Sequence, residues 1–524
     1  MPKIVLNHQK GYAWYSADGI SVKGFLLSAE GVMLQGQALA DYFSDCRTQP
    51  ELLAKLRVAN GMYTIVIQQD GKLLAAVDRM RTFPLFYTKR TDGWHISDDV
   101  DALFENDEAK VVNPEAAAIF GATGFTIGAE TLLDGVSQIQ PGELIEFQED
   151  KIKSDFHFQF AENEITISYD EAKQQLKEIL GRVGERLVTC LGGRPVAVPL
   201  SGGLDSRLIV YLLHQQNYRN VICFTYGKKQ KNDELSRSQR VAEHFQYEWK
   251  FIDYQLIDKK DIIADSQFQS YYRYASQYSS KFYFSEYYAA QQLKEVLPPD
   301  AVIIPGHSGD TVAGSHLRPY MLRYKNERQV VKGLIYNHFN LIELDCKERK
   351  MFSRRLCQQF HAAEYSSLNL AQKMKSWILR ERHGKYIINS CKMWEFMGYA
   401  CLFPLWDKEL VDFFARLPIS FRMNKKLYED VLWELFGAAG ILYSEDKKTH
   451  LPDGLTENMK LYVKRNFPFL QPSKDIFAHD IFDFQHLTIK MREDIAHGKR
   501  QRKLRNFNAI MNEWYLRQLE KGVF

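Results

Sequence analysis

The run VAVPLSGGLDSRLIVYLL (residues 196–213) constrains the fold more than any other stretch of this chain. Five mostly apolar residues lead into Ser201-Gly202-Gly203-Leu204-Asp205-Ser206, and apolar residues at helical spacing follow. A strand that passes through a glycine turn into a helix is the building unit of a parallel α/β sheet. At the carboxyl end of such a strand, glycines let several backbone N–H groups converge and let a ligand approach the main chain. The next helix adds its free N–H groups and positive dipole end, so the turn reads as a nest for a phosphate chain. Ser201 and Ser206 add hydroxyl donors. Asp205 would repel bare phosphate, so its presence suits a magnesium ion bound with it. A purely structural Gly-Gly turn would need neither the hydroxyls nor the carboxylate. The GxxxxGK[ST] and GxGxxG phosphate motifs are both absent at this turn.

A second run, VIIPGHSGDTVAGSH (residues 302–316), repeats the pattern of an apolar stretch followed by glycines. Asp310 would face the same crevice as Asp205 if the two strands are neighbours, and the pair would then share magnesium with phosphate. GHSGD does not fit a G-x-S-x-G nucleophile elbow, because Asp310 stands where glycine is required.

Around these loops the chain divides in two. Residues 1–158 are β-rich, with hairpin chemistry at Asp70-Gly71 and Asp92-Gly93 and a further turn at Pro141-Gly142. Two stacked antiparallel sheets, a β-sandwich, suit this spacing. After a connector near 157–167, Ser168 and Glu171 are placed as a capping box for a long helix. Strand-like and helical runs then alternate, which predicts a parallel-sheet α/β domain over 165–524. Beyond residue 315 the pattern becomes a helical extension. At 524 residues, 45% hydrophobic and 25% charged, the composition is that of ordinary globular protein. A net charge of +3 gives no reason to expect nucleic acid, and the basic run GKRQRKLR (residues 498–505) reads as a solvated helix face. Seven scattered cysteines without a CxxC pair signal neither a disulfide framework nor zinc. No signal peptide and no apolar run of membrane-spanning length is read, so a cytoplasmic protein without membrane partners is expected.

LSGGLDS (residues 200–206) resembles the pyrophosphate loop of the asparagine synthetase family. Weaker similarities follow in the expected order: FTYG (224–227), GHSGD (306–310), FPLWDKELVDFFARLP (403–418) and SEDKKTHLP (444–452). In the first part, NGMYTIVIQQDGKLLAAVDRMRTFPLFYTK (60–89) is similar to that family's glutaminase domain. The resemblance implies a glutaminase-like sandwich followed by an ATP-pyrophosphatase domain. It implies a ligase that adenylates a carboxylate with ATP and Mg²⁺, releases pyrophosphate and forms an amide. Leu200, Ser201, Gly202, Gly203, Leu204, Asp205 and Ser206 would hold the phosphates. Phe224, Tyr226 and Gly227 would hold adenine, with Gly306 counted among the nucleotide residues. Asp205 and Asp310 would bind magnesium, and Asp310, His307 and Lys447 would serve the chemistry, with Lys448 as the fallback lysine.

Two departures bear on the reaction. Pro2 stands where the family's glutamine-using members carry a nucleophilic cysteine, and Cys46 lies too far along the chain to replace it. An inactive glutaminase-like domain is therefore expected, with ammonia, an amine or a separate glutaminase supplying nitrogen. His307 replaces the glutamate of the family's second loop. It either takes a proton from an attacking amine or acts as a plain hydrogen-bond partner. That weakens aspartate as the acceptor, so a sugar uronic acid, a peptide side chain or an internal lactam stands beside it. A non-catalytic nucleotide-binding homologue is the alternative from another class. The aromatic run at 271–288 reads as core packing or as a pocket wall built around a tyrosine. The partners expected are a small-molecule carboxylate with an amine or ammonia, and a homodimer is one option.

Overall fold

The computed structural model describes residues 2–523, apart from 70, 106–107, 161–162, 230–233, 260, 447, 449–479, 497–503 and 505. The first part contains strands β1 (Lys3–Val5), β2 (Trp14–Ala17), β3 (Ile20–Leu27), β4 (Met33–Gln35), β5 (Asn60–Gln69) and β6 (Lys72–Val77). It continues with β7 (Phe86–Arg90), β8 (Gly93–Ser97), β9 (Val136–Gln138), β10 (Glu143–Phe147) and β11 (Ile152–Phe156). They form two sheets, one ordered β11-β10-β6-β5-β3-β2 with β4 on β3, the other β1-β8-β7-β9.

Side-chain alternation explains the layering. Along β5, Tyr63, Ile65 and Ile67 face the helices Gly36–Phe43 and Gln49–Val58, where Leu39, Phe43, Leu52 and Leu56 meet them. Val66 on β5, with Leu73, Ala75 and Val77 on β6, points the other way, against Leu85, Tyr87, Ile96 and Ile139 of the smaller sheet. The larger sheet is therefore buried on both faces. The hairpin at 90–93 forms as the turn chemistry predicts, pairing Arg90 with Gly93; Gln69 pairs with Lys72 at the end of β5 and β6, while Asp70 of the other turn lies outside the described residues. Two details correct the sequence reading. β1 runs parallel to β8, so the smaller sheet is mixed. The Pro141-Gly142 turn carries the chain from one sheet to the other, because β9 pairs with β7 and β10 with β6.

The helix Tyr169–Leu191 opens the second part, with the Ser168–Glu171 capping box in place and Gly192 closing it in the left-handed conformation. Strands β12 (Val196–Pro199), β13 (Val221–Gly227), β14 (Glu248–Asp253), β15 (Val302–Ile303) and β16 (Ala400–Cys401) follow. They pair in parallel in the order β14-β13-β12-β15-β16. The chain leaves β12 toward β13 on one side and returns to β15 on the other. The switch in strand order therefore lies between β12 and β15, and the crevice beyond their carboxyl ends is where open α/β sheets bind ligands. Both glycine loops leave from those two ends. Among the described residues, no helix is long and apolar enough to cross a membrane.

The two parts are tied by polar contacts around one carboxylate. Asp407 receives Asn60 Nδ2 at 2.9 Å and both Arg186 Nε and Nη2 at 2.7 Å, and it also caps the Glu409 amide. Arg79 reaches Asp412 at 2.7 Å nearby. Removing one partner of such a buried network leaves the other charge uncompensated. Asp407→Ala is expected to destabilise the protein by about 3 kcal/mol. Denaturant unfolding followed by fluorescence and circular dichroism will measure it.

Candidate functional site

The strand-to-helix turn is built as a tight hook. The Leu200 amide donates to the Phe224 carbonyl at 2.8 Å, and the chain then leaves the sheet. Gly202 takes φ +71°, and a Cβ there would lie 2.9 Å from Arg237 Cβ. The Gly203 amide donates to Ser201 Oγ at 3.3 Å, and the Ser201 and Ser206 hydroxyls meet at 3.2 Å. Gly203 caps the helix Leu204–Gln215 without a side-chain acceptor, which leaves that helix end open to an anion.

The second loop lies directly on the first. A Cβ on Gly306 would fall 2.4 Å from the Ser206 amide nitrogen, so only glycine permits this approach. The Asp310 amide donates to Asp205 Oδ2 at 2.9 Å, and Tyr428 donates its hydroxyl to Asp205 Oδ1 at 3.0 Å. Burial, with the Asp310 carboxylate beside it, pushes Asp205 up to about 7. Two carboxylates crowded in this way call for a cation. Among the described residues no group of three or more His, Cys, Asp or Glu converges as a complete metal cage. The pair therefore suits magnesium, which takes one or two carboxylates and fills its other positions with phosphate oxygens and water.

These loops line a cavity of about 530 Å³. Its walls include Ser201, Gly202, Gly203, Leu204, Asp205, Ser206, Tyr226, Gly306, His307 and Asp310 from the sequence-derived set. Leu200, Phe224 and Gly227 are not on its lining. Leu200 and Phe224 are 1% and 0% exposed; Phe224 shares a strand face with Tyr226 but sits two residues deeper in the sheet, where it packs edge-on against Trp394. Gly227 ends β13, and its carbonyl accepts the Tyr254 amide. Lys447 lies outside the described residues. Lys448 instead pairs with Asp430 and sits over the Trp433 ring.

His307 is held on both ring nitrogens, by Ser308 Oγ at 3.1 Å and Cys391 Sγ at 3.5 Å, with Phe403 against its face. Ser308 takes φ +91°, a costly conformation outside glycine, and its hydroxyl also meets His383 Nε2 at 2.9 Å. Burial alone would raise the Cys391 thiol, but contacts with Cys401 and His307 outweigh it and bring it down.

Four contributors escaped the sequence reading. Arg207, fully buried, donates to the Gly202 carbonyl and to Asp446, both at 2.7 Å, and so ties the loop at 441–446 to the glycine turn. Lys425 and Arg237 bring positive charge to the wall. Glu286 lines the cavity from within the aromatic run and accepts Trp394 Nε1 at 2.5 Å and Tyr226 OH at 3.1 Å. Its signal was a lone carboxylate in KFYFSEYYAA, where attention to the tyrosines hid it. Of that run, Tyr271, Tyr272, Tyr278, Phe282, Phe284, Tyr287 and Tyr288 are core residues.

The asparagine synthase family profile matches residues 183–515, and a glutamine amidotransferase domain profile matches residues 51–158. No curated protein sequence matches the chain. Among solved structures, it is similar to the glutamine phosphoribosylpyrophosphate amidotransferase of B. subtilis complexed with ADP and GMP. That match has 12% identity over 57% of this chain and 58% of the other, with a TM-score of 0.17. An allosteric regulatory enzyme of purine biosynthesis matches at 12% over 62% and 60%, with a TM-score of 0.18. The NH3-dependent NAD synthetase of Campylobacter jejuni subsp. jejuni NCTC 11168, in complex with nitrate, matches at 15% over 41% and 96%, also at 0.18. The chain thus spans 58% and 60% of the lengths of the first two structures, and at these identities and TM-scores none of the three lends it an activity. The family profile covers well over half of the chain and contains both glycine loops, and on that basis the chain belongs to the asparagine synthase family.

Proposed function

We propose that this protein is a carbon–nitrogen ligase that activates a carboxylate with ATP, releasing pyrophosphate, and passes the acyl group to an amine. The contact of the two glycine loops carries this reading, because it brings Asp205 against Asp310 beside a nest of main-chain N–H groups. A carboxylate is a poor electrophile until one of its oxygens becomes part of a good leaving group. The Ser201–Ser206 hook would orient the phosphates from the main chain. Asp205 and Asp310 would hold the magnesium ion, which offsets charge that grows on the departing pyrophosphate. Lys425 and Arg237 add fixed positive charge in the same wall. Tyr226 would take the adenine, and its ring already stacks on Tyr254 at 5.9 Å. Lys447 keeps the role that the family resemblance gives it, and it directly follows Asp446, which Arg207 anchors at the cavity edge.

The nitrogen enters, on this reading, as ammonia or an amine. Cys46 is the only cysteine in residues 1–158, and it is 1% exposed beneath the helices Gly36–Phe43 and Gln49–Val58. Burial pushes its thiol up to about 11, far from the thiolate that amide attack requires. His307 in the second loop favours an acceptor other than aspartate, such as a uronic acid or a peptide or lactam-forming carboxylate.

Pyrophosphate release from ATP and magnesium across a panel of carboxylates tests the reading; nucleotide binding with no release for any acid would leave only a binding scaffold. Asp205→Asn can accept the Asp310 amide on its one oxygen while its NH2 donates to a reoriented Tyr428 hydroxyl, and it halves the anionic partners a metal would have. It is expected to lower pyrophosphate formation by about 100-fold or more, with thermal unfolding unchanged. Gly306→Ala drives a methyl into the Ser206 amide and should weaken binding of a non-hydrolysable ATP analogue by about tenfold. Ammonium should support amidation where glutamine does not, and efficient glutamine hydrolysis by the pure chain would overturn the nitrogen assignment.

A further inference from the structure

Glu286 has no role in the ligase reading, although Tyr226, which that reading gives to adenine, is bonded to it. It sits in the turn just before the helix Tyr287–Lys294, between aromatic residues that fill the core, yet it lines the cavity. Each carboxylate oxygen has one neutral donor, Tyr226 OH on Oε1 and Trp394 Nε1 on Oε2. Those bonds fix its orientation and leave acceptor capacity on both oxygens, since a carboxylate takes about four. Among the described residues no lysine or arginine pairs with it. Burial raises its carboxyl above the usual range, against the smaller lowering effects of the Trp394 and Tyr226 hydrogen bonds and of His307.

A hemmed-in anion with a nearby histidine but no lysine or arginine partner is expensive unless a ligand supplies a cation. Adenine and ribose offer only neutral donors, which add to those that Trp394 and Tyr226 already provide and leave the charge uncompensated. A cationic nitrogen satisfies both the charge and the open lone pairs. We propose that Glu286 is the specificity-determining residue for the nitrogen substrate, binding a protonated primary amine between its carboxylate and His307. This inference rests on the ligase reading for the amine's fate, but the site itself stands on the cavity and the two fixing hydrogen bonds. Such a site excludes anionic nucleophiles and rejects the neutral side-chain amide of glutamine, consistent with amine or ammonium as the direct nitrogen source.

Calorimetric titration of the full chain, loaded with magnesium and a non-hydrolysable ATP analogue, decides it. The probes are methylamine, ethanolamine and 1,4-diaminobutane. At least one should bind saturably to the natural protein and about tenfold or more weakly to E286Q, with E286D recovering part of the loss. An unchanged analogue affinity in E286Q reports that the cavity is intact. Equal amine binding in both proteins, no binding of any of the three, or loss of analogue affinity in E286Q would each overturn the assignment; the last would give Glu286 to the nucleotide. Failure of the analogue to bind the natural protein would instead count against the ligase reading, and the same amine titration on the free protein would then judge Glu286 alone.

Discussion

The contact of Gly306 with the Ser206 amide is the constraint on which the site depends. It places two loops from adjacent parallel strands in van der Waals contact at the switch in strand order. Everything charged in the cavity is arranged around that contact. Asp310 meets Asp205 through its own amide, and Tyr428 closes the other carboxylate oxygen. The glycine hook and the open end of the helix Leu204–Gln215 then face the same space. Burial, with Asp310 beside it, pushes Asp205 up, so its charged form is costly and a cation would offset that cost. The fold thus holds a partial binding site whose missing charge is set by its own residues.

Much of this was legible from residues 196–213 and 302–316. Glycine and hydroxyl chemistry at the end of an apolar run has few uses, and β12 pairing with β15 brings Asp205 and Asp310 together as the spacing predicts. The long helix opens at Ser168 because a capping box is a local signal, readable over four residues. What stayed hidden depended on contacts between residues far apart in the chain. Arg207 looks like one more polar residue on a helix until Asp446, 239 positions away, turns it into a brace. Glu286 is likewise invisible as a site residue until Trp394 and Tyr226 converge on it. Leu200 and Phe224 lie off the cavity lining for a related reason: a motif match marks a segment, whereas the depth of a side chain along the strand decides whether it reaches the cavity.

The joining of the two parts follows the same physics. The Asn60 amide side chain, in a stretch similar to glutaminase sequences, is bonded to Asp407 and to the Lys408 amide. Arg79, in the same similarity, is bonded to Asp412. Side chains in that region therefore serve as ties to the second part, and Cys46 is sealed in the apolar layer on the far face of the sheet. This arrangement favours the first part as a structural support for the synthetase-like part. On the proposed reading the nitrogen would then enter through the cavity that Glu286 lines.

That requirement gives the cavity's electrostatics a direction. On the proposed reading Asp205 and Asp310 would take a divalent cation and Glu286 a monovalent one, with Lys425 and Arg237 adding positive charge to the same wall. Magnesium with a phosphate chain is net negative once assembled, so its arrival strengthens the local preference for a positive group at Glu286. Nucleotide would in this way prepare the cavity for an amine, through Coulomb attraction across a low-dielectric space and with no movement of the fold required. On the proposed reading, charge would favour phosphate and metal first and the cationic nitrogen after them. His307, held on both ring nitrogens by Ser308 and Cys391, is fixed in position to flank that nitrogen when it arrives.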